Sequence, residues 1–443
     1  MDHFTARKVL RLCHIRWLVA RFRGLAWLLL EEGLRAKLLE STHLSGVTAS
    51  SAYPSRPADP LRAVERLAEE FAATAAERDR QGGTAKRERD RLRASGLLAL
   101  SIPEQYGGYG ADWPTVLQAV RILARADGSL AHLFGFQHLM LATARLFGRP
   151  EQWQALYRRT ASENWFWGNA LNPLDERSRF QRRGDGGGII DGQKSFCSGA
   201  ADSDMLIVSA REEGSARLLI AAIPTTREGI TVHDDWDNMG QRQTDSGSVS
   251  FRQVAVAPEE ILDTPGPLSS PFASLRTCLA QLILVNIYQG LAEGAFAEAR
   301  RYTRSESRPW HGAGVARAVD DPYVIRHYGE FWVELESARA LADAAAAAFE
   351  AAWRRDLALT AEERARTAVA IATAKVAAAR TGLALTSRIF DVMGARATAR
   401  RYGFDRFWRN LRTHSLHDPL DYKLAELGRW ALNDEPPTPG FYS

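Results

Sequence analysis

Three stretches carry side chains able to move a proton or grip a planar cofactor. In RTHSLHDPLDYK, His414 and His417 stand three apart and share one face of a helical turn. Imidazole titrates near neutral pH and can give or take a proton. Pro419 biases Asp418 away from helical geometry and ends the helix there. His417 then lies at a helix C-terminus, where its charged form is favoured. The plain alternative is that either ring satisfies buried backbone carbonyls. In GQKSFCSGAADSDMLIV, Phe196 and Ser198 face one way, and strand alternation turns Cys197 the other. In FGFQHLMLATARLF, His138 lies on an apolar helix, where a lone histidine is more often a satisfied core residue.

Further polar candidates are scattered. Asn169 and Asn172 sit in WGNALNPLD, where Asn-Pro also starts turns. Trp236, in DDWDNMGQR, reads as a pocket wall or as a buried structural ring. Arg308 in SESRPW, Arg396 in VMGARATARRYGFDR and Lys423 are candidate phosphate cations in an arginine-rich chain. The glycine run RRGDGGG opens no helix and is not expected to cradle a phosphate. Cys13, Cys197 and Cys278 are too few and too scattered for a disulfide framework or a CxxC metal site, which points to a reducing cytoplasm and no metal.

The elements that must position these residues fall into blocks. The chain has 443 residues, 45% hydrophobic and 25% charged, which is ordinary globular composition. Residues 1–57 hold nine basic and four acidic residues, so the rest of a chain of net charge +4 is nearly neutral. No clustered basic face for nucleic acid is evident, and no apolar run reaches the roughly 18 residues of a membrane span. Residues 1–57 read as a basic extension, non-native or frayed, with an interfacial helix as the alternative. Residues 58–163 are helical by their three- and four-residue apolar spacing. Over 164–263 the period shortens into about six strands, at 165–169, 188–191, 205–210, 217–224, 230–233 and 248–256, as in a small β-barrel or sandwich. Residues 264–433 return to long, alanine-rich helices suited to a four-helix bundle. The tail 434–443, NDEPPTPGFYS from Asn433 on, is expected to be loose.

That order of blocks, with three local strings, resembles the acyl-CoA dehydrogenase superfamily. IPEQYGGYGAD is similar to its P-x-x-Y-G-G-x-G turn, GQKSFCSGAADSDMLIV to its middle strand pair, and MGQRQTDSGSVSFRQVAVAPE to its G-x-R segment ending in V-P. The likeness runs from about residue 60 to the C-terminus. The implied fold is an N-terminal helical bundle, a small β-barrel or sandwich, and a C-terminal four-helix bundle. Two departures then matter. Dehydrogenases of this fold abstract a proton with a glutamate near the C-terminus, where this chain offers histidines. They also carry a paired-glycine loop for FAD, where this chain has Gly394 followed by Arg396, whose fork suits the terminal phosphate of FMN. Both departures resemble the flavin-dependent monooxygenase branch, and most closely the dibenzothiophene S-monooxygenase and dimethyl-sulfone-utilisation group of organosulfur oxygenases.

The resemblance implies a two-component enzyme that takes FMNH2 from an NADH-dependent flavin reductase. It implies a homotetramer with flavin sites near subunit contacts, dioxygen, and a small apolar sulfur substrate oxygenated through a flavin C4a-hydroperoxide. The cofactor carries that chemistry, and the protein positions it, keeps out water and supplies protons. On this reading His417 is the first choice of proton donor and His414 the second. Phe196 and Ser198 contact the flavin ring, Ser198 near N5. Asn169 and Asn172 begin a lid, Trp236 flanks the ring, and Arg308, Arg396 and Lys423 meet the phosphate. The relatives also hold an active-site histidine in the region of His138 with a tyrosine about four residues on, where this chain has Ala142. The loop DTPGPLSSPFASLR reads as a second lid bearing Phe272. The competing readings are an FAD-dependent acyl-CoA dehydrogenase, the same oxygenase acting on a phenol, an amine or a nitro-compound precursor, and a non-enzymatic flavin-binding relic of the fold.

Overall fold

Capping residues mark out the first helices. The computed structural model describes residues 57–215 and 217–442, so the basic extension at 1–57 lies outside the described residues except for Pro57. Asp59 accepts from the Arg62 amide at 3.1 Å and Pro60 opens α1 (Pro60–Ala72), which buries Val64, Leu67, Ala68 and Phe71 at three- and four-residue spacing. Two short helices follow, α2 (Ala75–Gln81) and α3 (Lys86–Ala94). Asp112 caps α4 (Trp113–Ala126) through the Thr115 amide. Asp127 caps α5 (Gly128–Phe147) through the amides of Ser129 and Leu130. Nearly every residue of α5 is buried, so it is a central helix with no solvent face. Helix α6 (Pro150–Glu163) closes the block.

The middle block is one curled sheet of seven strands: β1 (Trp167–Ala170), β2 (Arg179–Arg182), β3 (Gly188–Lys194), β4 (Met205–Glu212), β5 (Leu218–Pro224), β6 (Ile230–Val232) and β7 (Val249–Val256). The order is β1-β4-β2-β3-β7-β6, with β5 paired to β4. Strand β4 runs parallel to β1 along its first half and pairs β2 over two residues at its end, while β5 follows its other edge. Strand β2 was not among the expected six. Its sequence RFQR buries only Phe180, so no apolar alternation announces it, and the glycine run after it is the turn of the β2–β3 hairpin.

The last block holds three long helices, α7 (Leu275–Ser305), α8 (Pro322–Arg355) and α9 (Ala361–Met393), with α10 (Asp405–Ser415) and α11 (Leu420–Asn433) packed on α9. Alanines lie buried along the α8 and α9 faces and allow close approach. Contrary to the sequence expectation, helix α9 is long and apolar enough by composition to cross a bilayer; here it packs between α7 and α8. Helices α4 and α5 pack on α7, and a single apolar cluster runs through both helical blocks, with a second inside the sheet. Phe272 is no lid residue: it is buried 5.4 Å from the Trp353 ring. The tail is not loose either. Thr277 Oγ1 donates to the Gly440 carbonyl at 2.8 Å, and Lys423 Nζ donates to the Tyr442 carbonyl.

Candidate active site

The ends of β1 and β3 and the loop between β6 and β7 are knitted by three backbone bonds. Asn169 N donates to Ser198 O, Cys197 N to Gly247 O and Gly199 N to Thr244 O, all within 2.8–2.9 Å. This forces a turn at 196–199, where Phe196 takes a positive φ of 58° and is 59% exposed, against the alternative of a core phenylalanine. Cys197 points into the sheet, where burial pushes its thiol up to about 12. Ser198 Oγ lies 2.7 Å from Ser246 Oγ, which lies 2.7 Å from Thr244 Oγ1, a chain of three hydroxyls. The Trp236 ring stands edge-on to Phe196 at 6.0 Å and is fixed by Nε1 donating to Gln241 O at 2.8 Å. The same loop docks on α10: Gln241 N donates to Asn410 Oδ1 at 2.6 Å, and Gly240 passes so close that a Cβ would meet Arg409 O at 2.1 Å.

These walls enclose a cavity of ≈ 670 Å³, within the range of small-molecule sites. Its opposite side comes from α5, the end of α10 and the tail. His132 and Phe136 enter from α5, His414 and His417 from the end of α10, and Tyr442 from the C-terminal segment. The His132 and His414 rings lie 4.8 Å apart. None of their four ring nitrogens has a hydrogen-bond partner, and all are buried. Burial, with the nearby His417 adding to it, pushes His132 down to about 3; burial, then His132, His417 and Lys375, holds His414 well below the usual range. Both rings are therefore neutral at working pH. His417 follows α10, its amide donating to His414 O at 3.0 Å, with Nδ1 3.0 Å from Asp418 Oδ1.

A cavity with aromatic rings and uncharged polar groups on its lining suits an isoalloxazine. Phe196 and Trp236 flank it, the hydroxyl chain offers donors along one edge, and Thr413 Oγ1 and Gln241 Oε1 are buried without partners on the lining. Buried polar atoms of this kind are costly unless a ligand meets them. The residues present therefore fit a flavin ring. Among the described residues lining the cavity there is no lysine, arginine, aspartate or glutamate.

Of the expected site residues, Phe196, Ser198, Asn169, Asn172, Trp236, His414 and His417 converge on this cavity. Four others do not. His138 is fully buried with Nδ1 2.9 Å from Ser101 Oγ. Six residues after His132, it points about 120° away round the helix, whereas Phe136 lies almost above His132. The residues of this helix that line the cavity are thus His132 and Phe136, and not His138 or Ala142. Lys423 is occupied by Glu426 and the Tyr442 carbonyl, so it fastens the tail and is not free for a phosphate. Arg308 is exposed after α7, and Arg396 donates to the Glu306 carbonyl at 2.8 Å; neither lines the cavity of its own chain.

The buried neutral histidines set an acid limit. Burial also pushes His138 down to about 3, as for His132, far below the roughly 6.5 of an unfolded chain. Between those values the unfolded state binds more protons, so the stability these groups support is complete above about pH 6.5 and falls as pH drops toward 3. The thermal midpoint is expected to fall steadily from pH 7 to pH 5, and His138→Gln should flatten that slope. An unchanged slope in the variant would contradict the assignment.

Family profiles described as acyl-CoA dehydrogenase N-terminal, middle and C-terminal domains match residues 61–164, 173–254 and 282–422. The probable FMNH2-dependent monooxygenase SfnC of Pseudomonas putida is 58% identical over 391 residues, covering 88% of this chain and 98% of that one. The structure of methanesulfinate monooxygenase MsuC from Pseudomonas fluorescens is 59% identical with a TM-score of 0.86, covering 87% of this chain and all of that one. FMN-bound TdsC, a dibenzothiophene monooxygenase from Paenibacillus sp. A11-2, is 46% identical with a TM-score of 0.83, covering 86% and 99%.

Proposed function

The chain belongs to the acyl-CoA dehydrogenase family, in its FMNH2-dependent monooxygenase branch, and from that premise we propose that it oxygenates an organosulfur compound with reduced FMN and dioxygen. One observation carries this reading: three imidazoles line the cavity and, among the described residues, no carboxylate does. A dehydrogenase of this fold needs a carboxylate base. Reduced FMN, when bound, supplies the two electrons that divide dioxygen between the sulfur atom and water. The relatives' FMN and sulfur substrates support the cofactor and substrate class.

The chain's own residues do the rest. Phe196 and Trp236, edge-on to each other, flank the ring, and the Ser198–Ser246–Thr244 chain bonds its polar edge. Asn169 and Asn172, at the cavity wall after β1, offer amides to ring or oxygen. His417 delivers a proton from Nε2 as water departs, and neutral His132 and His414 accept or donate single hydrogen bonds without adding charge. Leu171, Leu174, Leu416 and Tyr442 limit water.

Because FMN must arrive reduced, an NADH-dependent flavin reductase is the partner. A homotetramer is supported by Tyr323, Ile325, Trp332 and Val333, exposed on α8, and by the need for a phosphate cation that the cavity lining lacks; Arg308 and Arg396 would supply it across a subunit contact. The free, buried Cys197 and Cys278 suit a reducing cytoplasm.

The test uses the full chain with a flavin reductase, NADH, oxygen and a panel of thioether, thiophene, sulfone and alkyl sulfinate. Oxygenated product is expected with FMN from at least one class and much less with FAD. Tight FAD, bleached anaerobically by an acyl-CoA, would select the dehydrogenase instead.

A further inference from the structure

Behind His417 lies a buried charge that the chemistry above does not use. Lys375, on α9, is 1% exposed. Its Nζ donates to Asp418 Oδ1 and to Gln281 Oε1. Gln281, on α7, in turn directs Nε2 to Asp418 Oδ1 at 3.4 Å. His417 Nδ1 meets that same oxygen at 3.0 Å, while Asp418 Oδ2 is buried with no hydrogen-bond partner. Three donors from three elements thus converge on one carboxylate oxygen. We propose that Lys375 is a positioning residue: it keeps Asp418 ionised and aimed, so that the carboxylate holds His417 in its Nδ1–H form with Nε2 turned toward the cavity.

The chemistry follows from the donor set. An ionised carboxylate only accepts, so the proton on the shared bond must belong to His417 Nδ1. His417 and Lys375 hold Asp418 well below the usual carboxylate range against the opposing cost of its burial. Burying an ammonium is expensive, and leucine or methionine would fill the space more cheaply. A cation there does two things that packing does not. It neutralises Asp418 without taking the place of His417, and its like charge weakens the hold of Asp418 on an imidazolium, which eases proton release.

Other groups face this pair. His132, from α5, and His414, from α10, line the same side of the cavity, and the Tyr442 ring lies tilted 5.5 Å from His417. Tyr288, from α7, donates to the His414 carbonyl at 2.9 Å and feels the Asp418 charge. Lys423 and Glu426, from α11, act on Lys375 with opposite signs. Burial itself pushes Lys375 down to about 8, so its charge is complete only on the acid side of that value.

This inference rests on the oxygenase reading, and its test does not require turnover. The full chain, labelled with carbon-13 histidine and without substrate, is followed by NMR as pH rises, with His417 assigned by its loss in His417→Gln. In the wild type the neutral ring should be the Nδ1–H tautomer. In Lys375→Met the midpoint at which His417 loses its proton should rise by about two units, the size expected for removing one charge roughly 5–6 Å away at an effective dielectric near 20. Lys375→Arg should bring it back toward the wild-type value. An Nε2–H tautomer in the wild type, an unmoved midpoint in folded Lys375→Met, or an equal displacement in Lys375→Arg would each overturn the proposal. If Lys375→Met does not fold, the wild-type tautomer decides alone. Loss of the oxygenase reading would show separately, as absent product with these titrations intact.

Discussion

Replacing His417 by alanine should cut oxygenated product about 10²–10⁴-fold, the usual contribution of a positioned proton donor. Consumption of NADH through the reductase should continue, with hydrogen peroxide accounting for the missing product. Reduced FMN should still bind within a few-fold, because the flanking rings and the hydroxyl chain come from other elements. The reason is geometric. His417 has one nitrogen committed to Asp418 and is the half-exposed member of the three cavity imidazoles, whereas His132 and His414 are buried and held neutral by their surroundings. Comparison of peroxide and product yields in the variant checks this. Wild-type product from His417→Ala would remove His417 from the reaction.

Truncation after Asp434 should have the next largest effect. The segment returns from α11 to the cavity, held by Thr277 on α7 and Lys423 on α11, and it sets the Tyr442 ring against His417. Without it the cavity opens to water on that side, and product per NADH should fall by at least about tenfold, since misplaced or wetted reacting groups lose such factors readily. The fold itself should survive, as the deleted residues lie outside both apolar clusters. Tyr442→Ala should reproduce most of the loss and Tyr442→Phe little, if coverage by the ring is what counts. Full coupling in the truncated chain would show that the cavity is sealed by something else.

How far the sequence discloses this site depends on the kind of signal each residue leaves. His414 and His417 are legible because Pro419 fixes where the helix must end, and three-residue spacing does the rest. Phe196 and Ser198 are legible through their opposition to Cys197, although the cause proved to be a strained turn and not a strand. His132 is not legible because α5 is buried on nearly every side, so periodicity gives that helix no orientation and offers no ground for choosing between His132 and His138. Gln241, Thr244 and Ser246 resemble ordinary turn residues, and only docking of their loop on α10 turns them inward. Tyr442 sits in a proline-rich tail with no periodic pattern, and its place is set by two long-range hydrogen bonds to carbonyls. The order of helical, sheet and helical blocks was readable throughout, with β2 hidden by its charged flanks.

The oxygenase reading rests on a cavity lined by imidazoles and, among the described residues, by no carboxylate. It is tested most directly by isotope. The full chain, supplied with FMN, a flavin reductase, NADH and ¹⁸O-labelled dioxygen, is given its best sulfur substrate and the product is weighed by mass spectrometry. One labelled oxygen atom per oxygenated sulfur product is the expected result. Product that carries no label, or a flavin reduced by an acyl-CoA with no oxygen consumed, would contradict it.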